Sequence, residues 1–341
     1  MTIAATLIVR NEARCIARCL ESVRPWVDRV VVVDTGSTDG TPKLARAAGA
    51  EVHHLDWPDD FSIARNHALA LADADWHLVL DADEIVERGG ELLRLWCAGP
   101  PRLGQVCIHN QFDAASNPVD RPVSTSRSWI TRVIPRGARF VGRVHEQVDS
   151  PVPRERLELH LGHDGYRDAQ MAAKRERNRT LLLRELADRP DDVYLFYQLG
   201  TEAEGRDEFA AACDWYGKAH AAMRADEPWR HDLVVRYLHC LGRVGHLNEA
   251  LALAERCQQE FPDSPDFFFV VGNLALDCAL ADPAEALGHW LPLAVSCWEQ
   301  CLAIGERPDL EGSVEGRGSH LARHNLEAVS QQLAGLRQQK K

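Results

Sequence analysis

The residues best placed to do chemistry are Asp81 and Asp83, in Leu78-Val79-Leu80-Asp81-Ala82-Asp83-Glu84. An apolar run feeds directly into acids, so the carboxylates should emerge at the carboxyl end of a buried strand. Ligands of open α/β sheets bind outside that edge. Two acids two residues apart point to one side in extended geometry, and a pair of carboxylates with a diphosphate suits a hard divalent cation. The same spacing also describes a solvated acidic turn. Val30-Val31-Val32-Val33-Asp34-Thr35-Gly36-Ser37-Thr38-Asp39-Gly40 repeats the design. Asp34 should reach the same edge, able to accept hydrogen bonds from a base or ribose. Here too a simpler role exists, a tight strand-to-helix connection capped by Asp39 or Thr41. The loop has no G-K-[ST] and no G-x-G-x-x-G, so it is not a P-loop and fits a dinucleotide poorly. Arg65, in Asp60-Phe61-Ser62-Ile63-Ala64-Arg65-Asn66, could pair with phosphate or form a surface salt bridge.

The elements that must carry these residues can be read from hydrophobic periodicity. Strands are expected at Ile3 to Val9, Val30 to Val33, Val52 to Leu55 and Trp76 to Leu80. Helices are expected over Glu12 to Val23, from Thr41-Pro42, and over Phe61 to Ala72 with Asp60 or Ser62 as cap. This β-α alternation implies a parallel sheet covered on both faces. Strand-like segments follow at Val106 to Phe112, Trp129 to Ile134, Arg139 to Val148 and Leu157 to Leu161, which makes the second half of the sheet mixed. From Asp168 the chain is nearly all helix, beginning with Met171 to Leu186. Phe196, Leu199-Gly200, Ala212, Tyr216 and Ala219 fit a tetratricopeptide frame of about 34 residues. Ala250, Ala254, Cys257 and Pro262 fit its second half, and Phe268, Val271-Gly272, Trp298 and Cys301 a third unit. That third unit is interrupted around Leu280 to Pro292, the second lacks the Leu-Gly pair, and Leu321 to Leu336 would cap the array.

Taken together, Val9-Arg10-Asn11-Glu12, the Asp34 to Gly40 loop, Trp57 with Asp59-Asp60-Phe61-Ser62, Ala64-Arg65-Asn66 and Asp81-Ala82-Asp83-Glu84 resemble the family 2 glycosyltransferases of GT-A fold, in order and spacing. More narrowly the chain is similar to a bacterial subgroup in which tetratricopeptide repeats follow the GT-A domain, some of whose members glycosylate peptide cysteine or serine. Phe140-Val141-Gly142-Arg143-Val144-His145-Glu146-Gln147, His163-Asp164-Gly165-Tyr166, Arg177-Asn178 and Gly318-Ser319-His320-Leu321-Ala322-Arg323-His324-Asn325-Leu326 extend the likeness. It implies an α/β GT-A domain at 1–167, a linking helix at 168–190, and an all-α repeat domain at 191–341. It further implies an inverting hexosyl transfer from a nucleotide sugar, UDP-glucose or UDP-N-acetylglucosamine, with Mn²⁺ or Mg²⁺. Asp34 would hold the base, with Glu12 beside that pocket. Arg65 would contact base or diphosphate, and Asp81 the ribose or metal-bound water. Asp83 would ligate the metal, with His163 as second ligand or as a structural histidine. An inverting enzyme needs one general base. Glu146, with His145 adjacent, is the candidate. If that segment is a strand, only one of the two faces the site.

Composition sets the remaining bounds. The 341 residues carry a formal charge of −12, which disfavours a nucleic-acid coat or a basic membrane-surface protein. No run approaches a membrane span, and the N-terminus lacks the pattern of a signal peptide. The ten cysteines, with Cys15/Cys19 and Cys297/Cys301 at helical spacing, read as buried thiols of a reducing cytoplasm, with disulfides or zinc ligation as the alternative. A peptide or protein acceptor suits the repeats, and a saccharide acceptor suits the wider family. A catalytically inactive peptide-binding scaffold is the reading from another class. The oligomeric state is open, a homo-oligomer included.

Overall fold

A computed structural model describes residues 1–112, 124–163 and 168–339. The chain divides into two compact units, Met1–Pro190 and Asp191–Lys341. In the first, β1 (Ile3–Val9), β2 (Arg29–Asp34), β3 (Glu51–His54) and β4 (Trp76–Leu80) are parallel. They alternate with α1 (Ile16–Val23), α2 (Thr41–Ala47) and α3 (Phe61–Ala72). β5 (Glu84–Arg88), α4 (Leu93–Cys97), β6 (Leu103–Phe112), β7 (Ser124–Pro135) and β10 (Arg154–His163) complete the sheet's elements. The strand order is β3-β2-β1-β4-β7-β6-β10-β5, with β7 antiparallel to β4 and β6, and β10 parallel to β6. This is the open mixed sheet expected of GT-A. Its valine-rich strands are buried because helices cover both faces.

Four expectations change. Arg139 to Val148 is not one strand: β8 (Arg139–Val141) and β9 (Gln147–Asp149) pair antiparallel around a turn. Gly142 at φ 100° and His145 at φ 52° mark that turn. Glycine adopts the left-handed backbone freely, whereas histidine there is uncommon. Glu84–Arg88, read from sequence only as the acidic end of a strand, is itself a strand. It begins after the Glu84 amide bonds the Asp81 carbonyl at 3.1 Å. The turn also means that Asp81-Ala82-Asp83 is not extended, so the alternation argument for two parallel carboxylates does not hold. Residues 12–15 precede the helix rather than belonging to it. Residues 164–167, which contain the rest of the His163-Asp164-Gly165-Tyr166 match and the expected domain end, lie outside the described residues.

α5 (Asp168–Asp188) falls within the first unit. Its Glu185 accepts the Arg143 amide at 2.8 Å, Arg143 reaches Asp188 at 3.0 Å, and Arg184 pairs with Asp59 at 3.2 Å. A helix read from sequence as a link therefore grips the β8–β9 turn.

The second unit stacks three helical hairpins. They are α6 (Val193–Glu204) with α7 (Phe209–Ala222), α8 (Arg230–Arg243) with α9 (Leu247–Cys257), and α10 (Pro265–Ala281) with α11 (Leu291–Ile304), followed by α12 (His320–Gln339). This is the tetratricopeptide-like array. A Cβ on Gly200 would lie 2.4 Å from the Tyr216 ring, and one on Gly272 would lie 2.6 Å from the Trp298 ring. The small residue of one helix thus admits the aromatic of its partner, twice in the same way. The interruption in the third unit is a π-turn, Ala286–Trp290, running into α11. All ten cysteines are buried thiols. Among the described residues no helix is long and apolar enough to cross a membrane.

Candidate active site

The parallel register delivers the predicted acids to one edge. Val9 pairs with Asp34 and Leu7 with Leu80, so β2 and β4 end on either side of β1. Asp34 and Asp81 then stand roughly 10 Å apart, two strand spacings. The Asp34 side chain is 9% exposed. Its Oδ2 accepts the Gly36 and Ser37 amides at 3.3 and 3.2 Å, and its Oδ1 is buried with no hydrogen-bond partner. His54 ends β3 directly across from Asp34, with Nδ1 3.8 Å from Oδ2. His54 carries no local signal beyond its place at the end of an edge strand.

Two loops are zipped together next to Asp34. Asn11, at φ 59°, donates its amide to Ser37 Oγ at 2.9 Å and accepts from the Thr38 amide at 2.8 Å. The Glu12 amide bonds Thr41 Oγ1 at 2.7 Å, and the Cys15 thiol donates to the Glu12 carboxylate at 3.3 Å. The shared motif Val9 to Glu12 therefore holds the loop that shapes Asp34, a positioning role.

α3 starts at Asp60, whose carboxylate accepts the Ile63 amide at 3.1 Å and the Ser62 hydroxyl at 2.7 Å. That cap satisfies an orphan donor of the first turn. One turn on, Arg65 is almost fully buried and points at the sheet edge. It donates from Nη2 to Asp81 at 2.8 Å and from Nε to Glu146, while Nη1 has no partner. Asn66 exchanges two 2.9 Å hydrogen bonds with the Phe140 backbone, and the Phe61 amide bonds the Arg143 carbonyl at 2.8 Å. These contacts dock the β8–β9 turn on α3 and bring Glu146 to Arg65. His145 sits on the same turn, half-buried.

Asp81 also accepts from Arg132 of β7 at 2.7 Å, and Arg132 pairs in turn with Glu84. Three carboxylates thus alternate with two guanidiniums: Glu146, Arg65, Asp81, Arg132, Glu84. Partial burial pushes the Asp81 carboxyl up, but Arg132 and Arg65 outweigh it and hold Asp81 well below the usual range. Burial, reinforced by the Asp81 charge, lifts Glu84 to about 7 against the pull of Arg132. Arg132 and the part played by Glu84 were not foreseen. An arginine at 7% exposure inside a strand is the only sign, and it becomes informative once burial is known.

Asp83 turns away from this ladder. Its Oδ2 lies 3.2 Å from His163 Nε2 at the end of β10, with side chains 10% and 20% exposed. Burial alone would lower the His163 pKa, but the hydrogen bond and charge of Asp83 raise it. A carboxylate facing an imidazole is a donor set that suits Mn²⁺ better than Mg²⁺, which favours oxygen throughout. Asp81 does not join them. Among the described residues the three do not form a group whose ligand atoms all lie within 4.8 Å of one another.

Residues 6–127 match Glycosyl transferase family 2. A TPR repeat-containing protein of Synechococcus elongatus is 36% identical over 310 residues, covering 86% of this chain and 70% of that protein. The SPbeta prophage-derived glycosyltransferase SunS of Bacillus subtilis is 25% identical over 281 residues, 78% of this chain and 64% of its own length. Glucosyl-3-phosphoglycerate synthase from Mycobacterium tuberculosis, solved with Mn²⁺, uridine diphosphate and glucosyl-3-phosphoglycerate, is 25% identical. It covers 32% of this chain and 43% of its own, at a TM-score of 0.27, too low for a residue correspondence.

Proposed function

The chain belongs to glycosyl transferase family 2, and from that premise we propose that it transfers a hexose from a nucleotide-diphosphate sugar to a peptide or protein side chain, with inversion. The supporting observation is the pair of buried polar atoms without partners on one sheet edge, Asp34 Oδ1 and Arg65 Nη1. Asp34 Oδ1 is an acceptor for the donor groups of a nucleobase or ribose. Arg65 Nη1 is a donor for a phosphate oxygen. An unpaired buried polar atom costs about 1–3 kcal/mol, which a ligand that satisfies it returns.

In this reading Asp34 orients the nucleoside, helped by His54 and by the Glu12-braced loop. Arg65 and Arg132 keep Asp81 ionised beside the sugar-diphosphate. Asp83 and His163 would hold Mn²⁺ or Mg²⁺, which supplies charge neutralisation on a leaving diphosphate. Glu146 takes the acceptor proton. In the structure it is tied to Arg65, so an anion drawing on that guanidinium would loosen Glu146 as the donor arrives. Inversion requires no enzyme nucleophile. UDP is the proposed carrier, and glucose or N-acetylglucosamine the sugar. The acceptor class follows from the repeats, since such solenoids present extended concave surfaces to peptides. Ten buried cysteine thiols support a cytoplasmic placement.

The test is release of nucleoside diphosphate from a nucleotide-sugar panel with Mn²⁺, repeated with candidate peptides and with oligosaccharides. Release stimulated by peptide supports the proposal, and stimulation by saccharide alone moves the acceptor to the other class. No release with any sugar, from a protein that still binds peptide, would make the chain a scaffold.

A further inference from the structure

A second cluster of ligating side chains lies in the same sheet and takes no part in the site above. Cys107 and His109 sit two apart on β6, facing one side of the sheet, and β10 runs alongside with His160 in register with Cys107. Sulfur and imidazole nitrogens from the three lie within 4.8 Å of one another. Cys107 and His160 are buried, and His109 is half-buried, which leaves a route to solvent.

The hydrogen bonds around the histidines assign their nitrogens. His109 Nδ1 lies 3.3 Å from Glu87 Oε2, so its Nε2 faces His160 Nδ1 at 3.0 Å. His160 Nε2 lies 3.2 Å from Glu158 Oε2. Each imidazole therefore has a carboxylate behind it and one nitrogen turned towards the other ring. That is how metal-binding histidines are held, with the outer carboxylate fixing the tautomer and raising basicity.

We propose that Cys107 Sγ, His109 Nε2 and His160 Nδ1 form a site for a borderline-soft divalent cation, zinc above all. A thiolate with two imidazoles suits Zn²⁺ and disfavours Mg²⁺ or Mn²⁺. Tetrahedral zinc places such ligand atoms about 3.3–3.6 Å apart, so the two imidazole nitrogens at 3.0 Å part slightly and the thiol closes in by no more than about 1.5 Å. Solvent fills the fourth position, and the thiol proton is released on binding. The competing group is the exposed Arg88, whose Nη2 lies 2.9 Å from His160 Nε2 and 3.3 Å from the proposed ligand atom Nδ1, so metal entry requires it to leave. Glu87 and Glu158 offset its charge, and its long side chain can swing outward. The site is distinct from Asp83 and His163, because His160 is three residues back along β10, roughly 10 Å. Metal there would pin β5, β6 and β10 together beneath His163.

The experiment uses the full chain stripped by chelator and titrated with Co²⁺, then with Zn²⁺ in competition. One equivalent of Co²⁺ should give a thiolate-to-metal charge-transfer band, and Zn²⁺ should abolish it and raise the melting temperature. Cys107→Ser should lose the band, Glu87→Gln should weaken binding about 10–100-fold, and Asp83→Ala should leave it unchanged. Absence of the band in the natural chain overturns the proposal without any variant. Persistence in Cys107→Ser, or loss in Asp83→Ala, overturns it equally.

Discussion

Both units set arginines among carboxylates, and the difference between the two networks separates a site from a scaffold. In the helical unit, Arg236 donates to Asp232 and Glu204 at 2.7 Å each, Tyr197 donates to Asp232, and Tyr216 donates to Glu204 at 2.7 Å. The Asp232 charge, with that of Glu204, pushes the Arg236 pKa further up. In this set of five side chains, no buried side-chain atom lacks a partner. At the sheet edge the same chemistry is left incomplete, with Asp34 Oδ1, Arg65 Nη1 and Arg132 Nε buried and unmatched. The Asp81 side chain is 40% exposed. A closed network specifies packing, while an open one holds polar atoms ready for something else to complete.

This contrast can be broken by experiment. The largest effect should come from Asp83→Ala, which removes a proposed metal ligand and should cut metal-dependent transfer at least about 10³-fold, equivalent to several kcal/mol. Unchanged turnover in chelator would refute it. Glu146→Gln should lower transfer by about 10²–10⁴-fold with nucleotide affinity kept, read from kcat against donor binding. Near-natural turnover would remove Glu146 as the base.

On the other side of the comparison, Asp232→Ala should cost about 3 kcal/mol of stability in denaturant melts, because Arg236 and Tyr197 lose a buried partner. Nucleotide release per folded molecule should stay the same. If activity falls while stability holds, the closed network is not merely structural.

His77, on the buried β4, adds a pH dependence remote from either network. Burial lowers its pKa from 6.5 to about 4. The unfolded chain therefore takes up a proton that the folded chain refuses, so stability is full above pH 6.5. It should fall as pH drops towards 4, by up to about 3 kcal/mol. Melting temperatures from pH 7 to 4.5 should show the slope, and His77→Gln should flatten it. The smallest effect is expected from Gly200→Ala, about 1–2 kcal/mol, since the Tyr216 ring must shift away from the new methyl. A calorimetric melt of the full chain reads it.

How much was legible depended on how local the signal was. The four parallel strands, α3 with its Asp60 cap and the Gly200–Tyr216 interlock were all readable, because each is written within a few turns or one repeat. The β8–β9 turn was misread as a strand because Phe140 to Val148 alternates well enough. What bends it is a left-handed Gly142 and the docking of Asn66, Phe61 and Glu185, which come from distant segments. Asp83 and His163 approach to 3.2 Å, and Asp81 is held instead by Arg132 from β7, a pairing no local pattern announces.

By itself the sequence determined the alternation of β1–β4 with α1–α3, the acids at the strand ends and the repeat frame. Short-range periodicity and capping act within windows of a dozen residues and do not depend on what lies across the sheet. Only the tertiary structure decided which charges meet. Arg65, Asp81, Arg132 and Glu146 span 82 positions of sequence. They become neighbours because β7 enters between β4 and β6 and a turn folds back on α3. In that low-dielectric edge, a partner's presence or absence sets each group's protonation and whether it is structure or site.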